Sequence, residues 1–293
     1  MRIFVVGGSG MLGGDVVSET RRRGHYVEAP VHSDFDLTEP ESVATLPGRG
    51  PYDWVVNCAA YTAVDRAESE ADAAAALNAL GPRYLAMACA LTGSRLLHVS
   101  TDYVFDGAKG LPYTEEDPTN PIQVYGLTKR DGEENVLSAG ARAVVVRTAW
   151  LYGPHGRCFP RSIIDAWVAG KSLRVVADQV GSPTYTPELA RSMIDLLERN
   201  PAEGIYHAAG PEAMSWHEFA VRAVTAYATA TADERPIDIA AIPTAEWPTP
   251  AKRPRETVLD SRMLASMGIP PMESVDLSLA KFAAALATES RTS

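Results

Sequence analysis

The stretch Arg2-Ile-Phe-Val-Val-Gly-Gly-Ser-Gly-Met-Leu-Gly13 decides the fold. Its first five residues form a short apolar run, the pattern of a strand buried on both faces of a parallel sheet. Glycines at 7, 10 and 13 follow, and a helical pattern then runs to about Arg23. Glycine permits a tight turn and lets a pyrophosphate approach the backbone at a helix N-terminus. A G-x-x-G-x-x-G turn between the first strand and the first helix therefore points to a dinucleotide site with Gly7 in its turn. Strands and helices alternate from there to Trp150. The expected fold is α/β, a Rossmann-type doubly wound parallel sheet. Residues 1–150 would form the dinucleotide-binding domain. Residues 151–293 would be mainly a smaller substrate-binding lobe, with some segments returning to the sheet.

Further along, Gln123-Val-Tyr-Gly-Leu-Thr-Lys129 places Tyr125 and Lys129 four residues apart. Pro121 suits a first helical turn, because the N–H it lacks would be unpaired there. On a helix, residues four apart share a face. A cation beside a phenol favours its ionised form, so the pair would tune Tyr125 to exchange a proton near neutral pH. Taken alone, such a pair is usually solvated surface. The strand Arg95 to Ser100 runs into Thr101 and Asp102, and ligands bind beyond such strand ends in open parallel sheets. A hydroxyl at 101 can bond a substrate oxygen or the phenol. The strand Asp53 to Ala60 ends in small residues, which let a cofactor lie against the backbone.

The second strand, His25 to Ala29, should end in an acid if NADH is preferred. Here Glu28 is followed by Ala29 and Pro30, while His32, Ser33 and the run Arg21 to Arg23 could meet a 2′-phosphate. NADPH is the expected cofactor, with NADH left open. The net charge of −10 argues against a nucleic-acid partner. No apolar run is long enough for a membrane span. No signal-peptide pattern is present, and Cys58, Cys89 and Cys158 form no CxxC pair, so a reducing cytoplasm is the expected setting. Pro243 to Pro254 is too proline-rich for a helix and reads as a lid. Two short helices near Ser261 and Leu277 should close the chain, with Ala287 to Ser293 frayed.

The glycine turn, Ser100-Thr-Asp-Tyr-Val-Phe105 and Tyr125-x-x-x-Lys129 occur in order on one chain. Together they resemble the extended short-chain dehydrogenase/reductase superfamily. Within it, the chain resembles the dTDP-4-dehydrorhamnose reductase family. The matching stretches are Asn57 to Asp65 with Glu68, Ser100 to Phe105, Tyr125 to Lys129, Arg147 to Trp150, Asp178 to Thr184 and Pro248 to Pro254. The resemblance implies reduction of the C4 ketone of a dTDP-linked 4-keto-6-deoxy sugar. It implies that Gly10, Met11 and Leu12 contact the pyrophosphate and that Asp36 and Leu37 flank the adenine. Ala60, Tyr61 and Thr62 would line the path to the nicotinamide, with Val99 beneath it. Tyr125 would be the acid, and Lys129 would hold the nicotinamide ribose and tune the phenol. Thr101, Asp102 and Trp150 would meet the sugar. Arg253 is assigned to the diphosphate from its place in the lid and the ligand's charge.

Two departures stand out. Gly156-Arg-Cys-Phe159 replaces the family's Gly-x-Asn-Phe, and Pro30 replaces an acid common in relatives. Some relatives dimerise around a metal held by carboxylates. Asp15 and Glu188 match two of its positions, but Leu277 to Leu286 offers no third acid. No metal is expected, and a homodimer stays open. A sister 4-ketoreductase of antibiotic deoxysugar synthesis is the nearest rival. A non-catalytic regulatory subunit, like the relatives that bind methionine adenosyltransferase, is another.

Overall fold

The computed structural model describes residues 1–292. Its main sheet has six parallel strands. We label five of them β1 (Arg2–Val6), β2 (Tyr26–Glu28), β3 (Trp54–Asn57), β4 (Arg95–Thr101) and β5 (Ala143–Thr148). The spatial order is β2, β1, β3, β4, β5, then Gly204–His207. The order reverses at β1, which lies between β2 and β3. Beyond the carboxyl ends of the strands at such a reversal lies the crevice where open α/β sheets take ligands.

The uninterrupted apolar run of β1 now has a cause. Ile3 and Val5 pack on one face with Leu12 and Val16 of α1 (Met11–Arg22) and with Leu189 and Met193. Phe4 and Val6 pack on the other with Val55, Leu85 and Leu96. Gly13 lets α1 lie this close, since a Cβ there would sit 2.1 Å from the Gly7 carbonyl oxygen. Gly7 itself has φ +77°, the left-handed conformation that glycine adopts without strain.

After β3 and a short helix, Val64–Ala67, an alanine-rich helical run extends from Ala71 to Thr92 without a break, with a π-helical turn inside it at Ala76–Leu80. The buried Asn78 sits in the π turn. Its Oδ1 accepts from Tyr61 N at 2.8 Å, and its Nδ2 donates to Tyr61 O and Thr128 Oγ1, both at 3.1 Å. The irregular turn thus clamps the segment after β3 to the helix that carries Tyr125.

That helix spans Val124–Ser138. Pro121 lies outside it, contrary to the expectation of a proline in the first turn. Gln123 is the cap instead, with Oε1 accepting from Gly126 N at 3.2 Å.

A second core joins the helices Phe159–Val168, Trp216–Thr231 and Val275–Thr292, through Ile164, Trp167, Phe219, Tyr227 and Phe282. The last helix is long rather than short, and it does not fray from Ala287. Leu279, Phe282, Ala283 and Leu286 give it a continuous buried face. Ala287 is buried as well, and Glu289 pairs with Arg161. Ser293 lies outside the described residues. Three segments after residue 151 pack with the main sheet: Gly204–His207 is its sixth strand, Thr186–Glu198 lies against α1, and the short helix Arg262–Ser266 packs on the sixth strand through Leu264. Among the described residues, no helix is long and apolar enough to cross a membrane.

Candidate active site

Gly126 sets the site's geometry. A Cβ there would lie 2.0 Å from the Tyr103 carbonyl oxygen, so only glycine lets the Tyr125 helix press onto the segment after β4. The ring of Tyr125 then meets that of Tyr103 edge-on, with centroids 6.0 Å apart. The result is a cleft of about 630 Å³ at the carboxyl ends of the strands. Gly10, Met11 and Leu12 enter it from the turn before α1, and Ala60 and Thr62 from beyond β3. Val99, Thr101 and Asp102 enter from β4 and its exit, Tyr125 and Lys129 from the helix, and Trp150 from beyond β5.

The other expected residues stand outside this lining. Gly7 shapes the turn, with its carbonyl accepting from Gly10 N at 3.0 Å. Asp36 accepts from Thr38 N at 2.8 Å and from its hydroxyl at 2.7 Å. Burial opposes the Asp36 charge, but these bonds hold the carboxyl below its ordinary range. Leu37 is buried beside Gly81. The Tyr61 phenol turns away and donates to Glu70 at 2.5 Å. Arg253 is not an open anion contact: it pairs with Asp65 at 2.9 Å, and Asp65 also accepts from Ala251 N at 3.2 Å. The lid is latched to the first half of the chain by this carboxylate. Besides the buried Lys129, the cleft lining holds Arg157, exposed and without an ion pair among the described residues.

Burial governs the charges. Tyr125 is pushed up to about 12 by burial, with Thr101 acting against the shift and Asp102 adding to it. Lys129 is pushed down to about 8 by burial, with Glu133 and Cys58 acting against. Its Nζ donates to Val99 O at 2.7 Å and lies 3.3 Å from His98 Nε2. The expectation that Lys129 lowers the phenol fails in this state: its ammonium end is engaged by β4, and desolvation outweighs distant charge. Asp102 is pushed up to about 7 by burial, against hydrogen bonds from Thr257 and Thr101. Thr101 Oγ1 donates to it at 3.0 Å, and Thr257 donates from beyond the lid.

An aromatic wall closes the cleft on the side of the second core. Trp150, held at φ +45°, stacks on Trp216 with ring centroids 3.5 Å apart and planes 6° from parallel. Phe159 packs 4.6 Å from Trp216. No role is expected from the sequence for Trp216, Arg157, Asn78 or His98. A polar Asn in an alanine-rich run, a His inside an apolar strand and the altered Gly156-Arg-Cys-Phe159 loop were visible signals; Trp216 carried none, because a lobe packed from distant segments brings it in.

A larger cavity, of about 800 Å³, lies between residues 109–114, 208–213 and 258–272. None of the expected residues lines it, and its charged groups are already paired: Lys109 with Asp117, Glu212 with Arg222, and Asp260 with Arg262. The smaller cleft is the one in which shifted groups converge, and it is the better candidate.

A dinucleotide fits this chain's cradle. Gly10 caps α1 without a side chain, so no side chain competes for the first-turn N–H groups that border the cleft. Parallel sheet, glycine cradle and buried Tyr–Lys pair define a Rossmann-fold protein of the extended short-chain dehydrogenase/reductase class. Residues 1–288 match the family model for the RmlD substrate binding domain. The chain belongs to this family, that of the dTDP-4-dehydrorhamnose reductases. It is 39% identical to dTDP-4-dehydrorhamnose reductase of Mycolicibacterium smegmatis, over 92% of this chain and 81% of that one. It is 40% identical to a probable dTDP-4,6-dihydroxy-2-methyloxan-3-one 4-ketoreductase of Streptomyces antibioticus, over 93% and 91% of the two chains. A crystal structure of the Bacillus anthracis dTDP-4-dehydrorhamnose reductase, in complex with NADP, superposes with a TM-score of 0.89 at 32% identity, covering 96% of this chain and 98% of that one.

Proposed function

We propose that the protein uses NADPH to reduce the C4 ketone of a dTDP-linked 4-keto-6-deoxy-L-hexose. The observation that carries this reading is the convergence of Tyr125, Thr101, Lys129 and the Gly10–Leu12 cradle on one cleft. Relatives named as reductases of this kind, one of them crystallised with NADP, support it. The bound cofactor supplies the hydride. Backbone N–H groups at Met11 and Leu12 would hold its pyrophosphate, with Gly10 leaving room for it to approach, and the small Ala60 would leave room for its ring. As the carbonyl oxygen gains negative charge, Tyr125 Oη gives it a proton. Thr101, and Lys129 when protonated, favour that charge electrostatically. Asp102 is poised to bond a sugar hydroxyl, and Trp150 and Trp216 offer an apolar face. Arg157, in the cleft lining, offers a diphosphate contact beside the one assigned to Arg253.

NADPH is favoured because Glu28, the acid that ends β2, is already engaged. Glu28 accepts from Tyr52 at 2.6 Å and pairs with Arg49 at 3.4 Å. Arg22 and Arg23 are committed to Glu19, Asp195 and Glu198, which leaves Arg21, Ser33 and His32, all exposed and the last 3.4 Å from Asp36, for a 2′-phosphate. Dissociation constants should favour NADPH over NADH; the reverse order would overturn this assignment. The cysteines are free, which supports the reducing, cytoplasmic setting expected from their number.

Cys158 favours a second reading, reduction of a different dTDP-4-keto sugar. It stands at the N-cap of the helix beside the cleft without a capping bond, and its thiol makes only a weak bond to Gly153 O at 3.9 Å, where an amide would offer two donors. Reading the C4 configuration of the product by NMR separates the two. An L-rhamno product supports the first, and another configuration supports the second.

A further inference from the structure

The buried chain behind Lys129 has a fixed direction. It starts at Ala59, whose backbone N–H can only donate, and does so to Asn57 Oδ1 at 3.0 Å. The Asn57 amide is thereby oriented, and its Nδ2 donates to His98 Nδ1 at 3.0 Å. His98 is fully buried, and burial together with Lys129 keeps it neutral. A neutral imidazole has one N–H. Since Nδ1 accepts, that proton is on Nε2, which faces Lys129 Nζ at 3.3 Å. An ammonium has no lone pair with which to accept it. A neutral amine does: it accepts from His98 and donates to Val99 O. With Lys129 charged, two donors must face each other somewhere along the chain. With Lys129 neutral, every link is satisfied.

We propose that Asn57 and His98 form a one-way hydrogen-bond chain that makes His98 a positioning residue, holding Lys129 towards its neutral amine. The inference rests on the reading of Lys129 as a group that turnover depends on. The other charged or titratable groups that act on Nζ are Cys58 from beyond β3 and Glu133 from its own helix. Glu133 is already committed to Arg147 and Ser100, so it is a poor counter-charge for Lys129. In the proposed reaction the charged form assists, so His98 sets the alkaline limit: activity is full while Lys129 is protonated and falls as pH rises through its titration.

The chain has five lysines, at 109, 129, 171, 252 and 281, so lysine ¹³Cε signals can be followed individually against pH. Lys129 should titrate well below the other four. In Asn57→Asp the carboxylate accepts from both Ala59 and His98, which reverses the ring's tautomer. In His98→Leu the opposing donor is gone. Both should raise the Lys129 midpoint by about one unit, and the alkaline limb of turnover should follow it. His98→Leu is the sharper variant, because deeper burial alone would lower the midpoint. A midpoint that stays put or falls in His98→Leu, or a wild-type Lys129 that titrates with the other lysines, overturns the proposal. A raised midpoint with an unmoved alkaline limb upholds the chain and overturns the role of Lys129 in turnover. Absence of turnover on any nucleotide sugar counts against the reductase reading alone, since the NMR titration needs no substrate.

Discussion

At the scale of single residues, the phenol of Tyr125 holds its proton. Burial pushes it up to about 12, so across the neutral range it is the acid that a reduction needs. Tyr125→Phe removes only the hydroxyl. Turnover should fall by about 10²–10⁴-fold while the dissociation constant for NADPH stays nearly unchanged, as read by steady-state kinetics and cofactor fluorescence. Asp102 gives a second prediction. Burial lifts it to about 7, so folding favours its neutral form. That contribution is whole below the ordinary carboxylate value and is lost as pH rises through about 7. Asp102→Asn is neutral at every pH, so its Tm should gain on wild type as pH rises through that window. A constant difference between the two melting curves would show that Asp102 does not titrate there.

At the scale of elements, the Tyr125 helix is tied to the sheet by charge. Arg147 on β5 and Glu133 on the helix meet at 2.7 Å, with side chains 2% and 3% exposed. Arg147→Met would leave Glu133 buried without its partner, and chemical denaturation should show a loss of about 3–5 kcal/mol. A loss below about 1 kcal/mol would mean that the helix is held by packing alone. Much of this arrangement was legible in the sequence. The apolar run of β1, its glycines and the Tyr–Lys spacing are local patterns, and local patterns give element types. The π turn at Asn78 was not legible, because its cause is a hydrogen bond to a segment 17 residues away. Nor was the cap at Gln123, which displaced the proline expected in the first turn. The sign of the Tyr125 shift was beyond reach too, since it depends on how deeply the tertiary fold buries the phenol.

At the scale of the whole molecule, the proline-rich segment expected to be a lid ties the first half of the chain to the second. Asp65, from beyond β3, holds both Arg253 and the Ala251 backbone, and Thr257 just after the lid reaches Asp102. The proline run announced a lid, but which residue would fasten it could not be read from a segment 186 residues distant. The same distance explains why the partner of Arg253 could not be read from the sequence: its charge was visible and Asp65 was not. Because the pair is partly exposed, Asp65→Asn should raise KM for the nucleotide sugar only about two- to fivefold and leave NADPH affinity alone. An unchanged KM would free the lid from any part in substrate capture. The reductase assignment itself meets its most direct test in one assay, the loss of reduced-nicotinamide absorbance when the protein and NADPH meet a dTDP-4-keto-6-deoxyhexose, run beside Tyr125→Phe. The account predicts rapid, sugar-dependent oxidation by wild type and a rate at least about 10²-fold lower in the variant. Equal rates in the two proteins, or no oxidation with any sugar of this class, would contradict it.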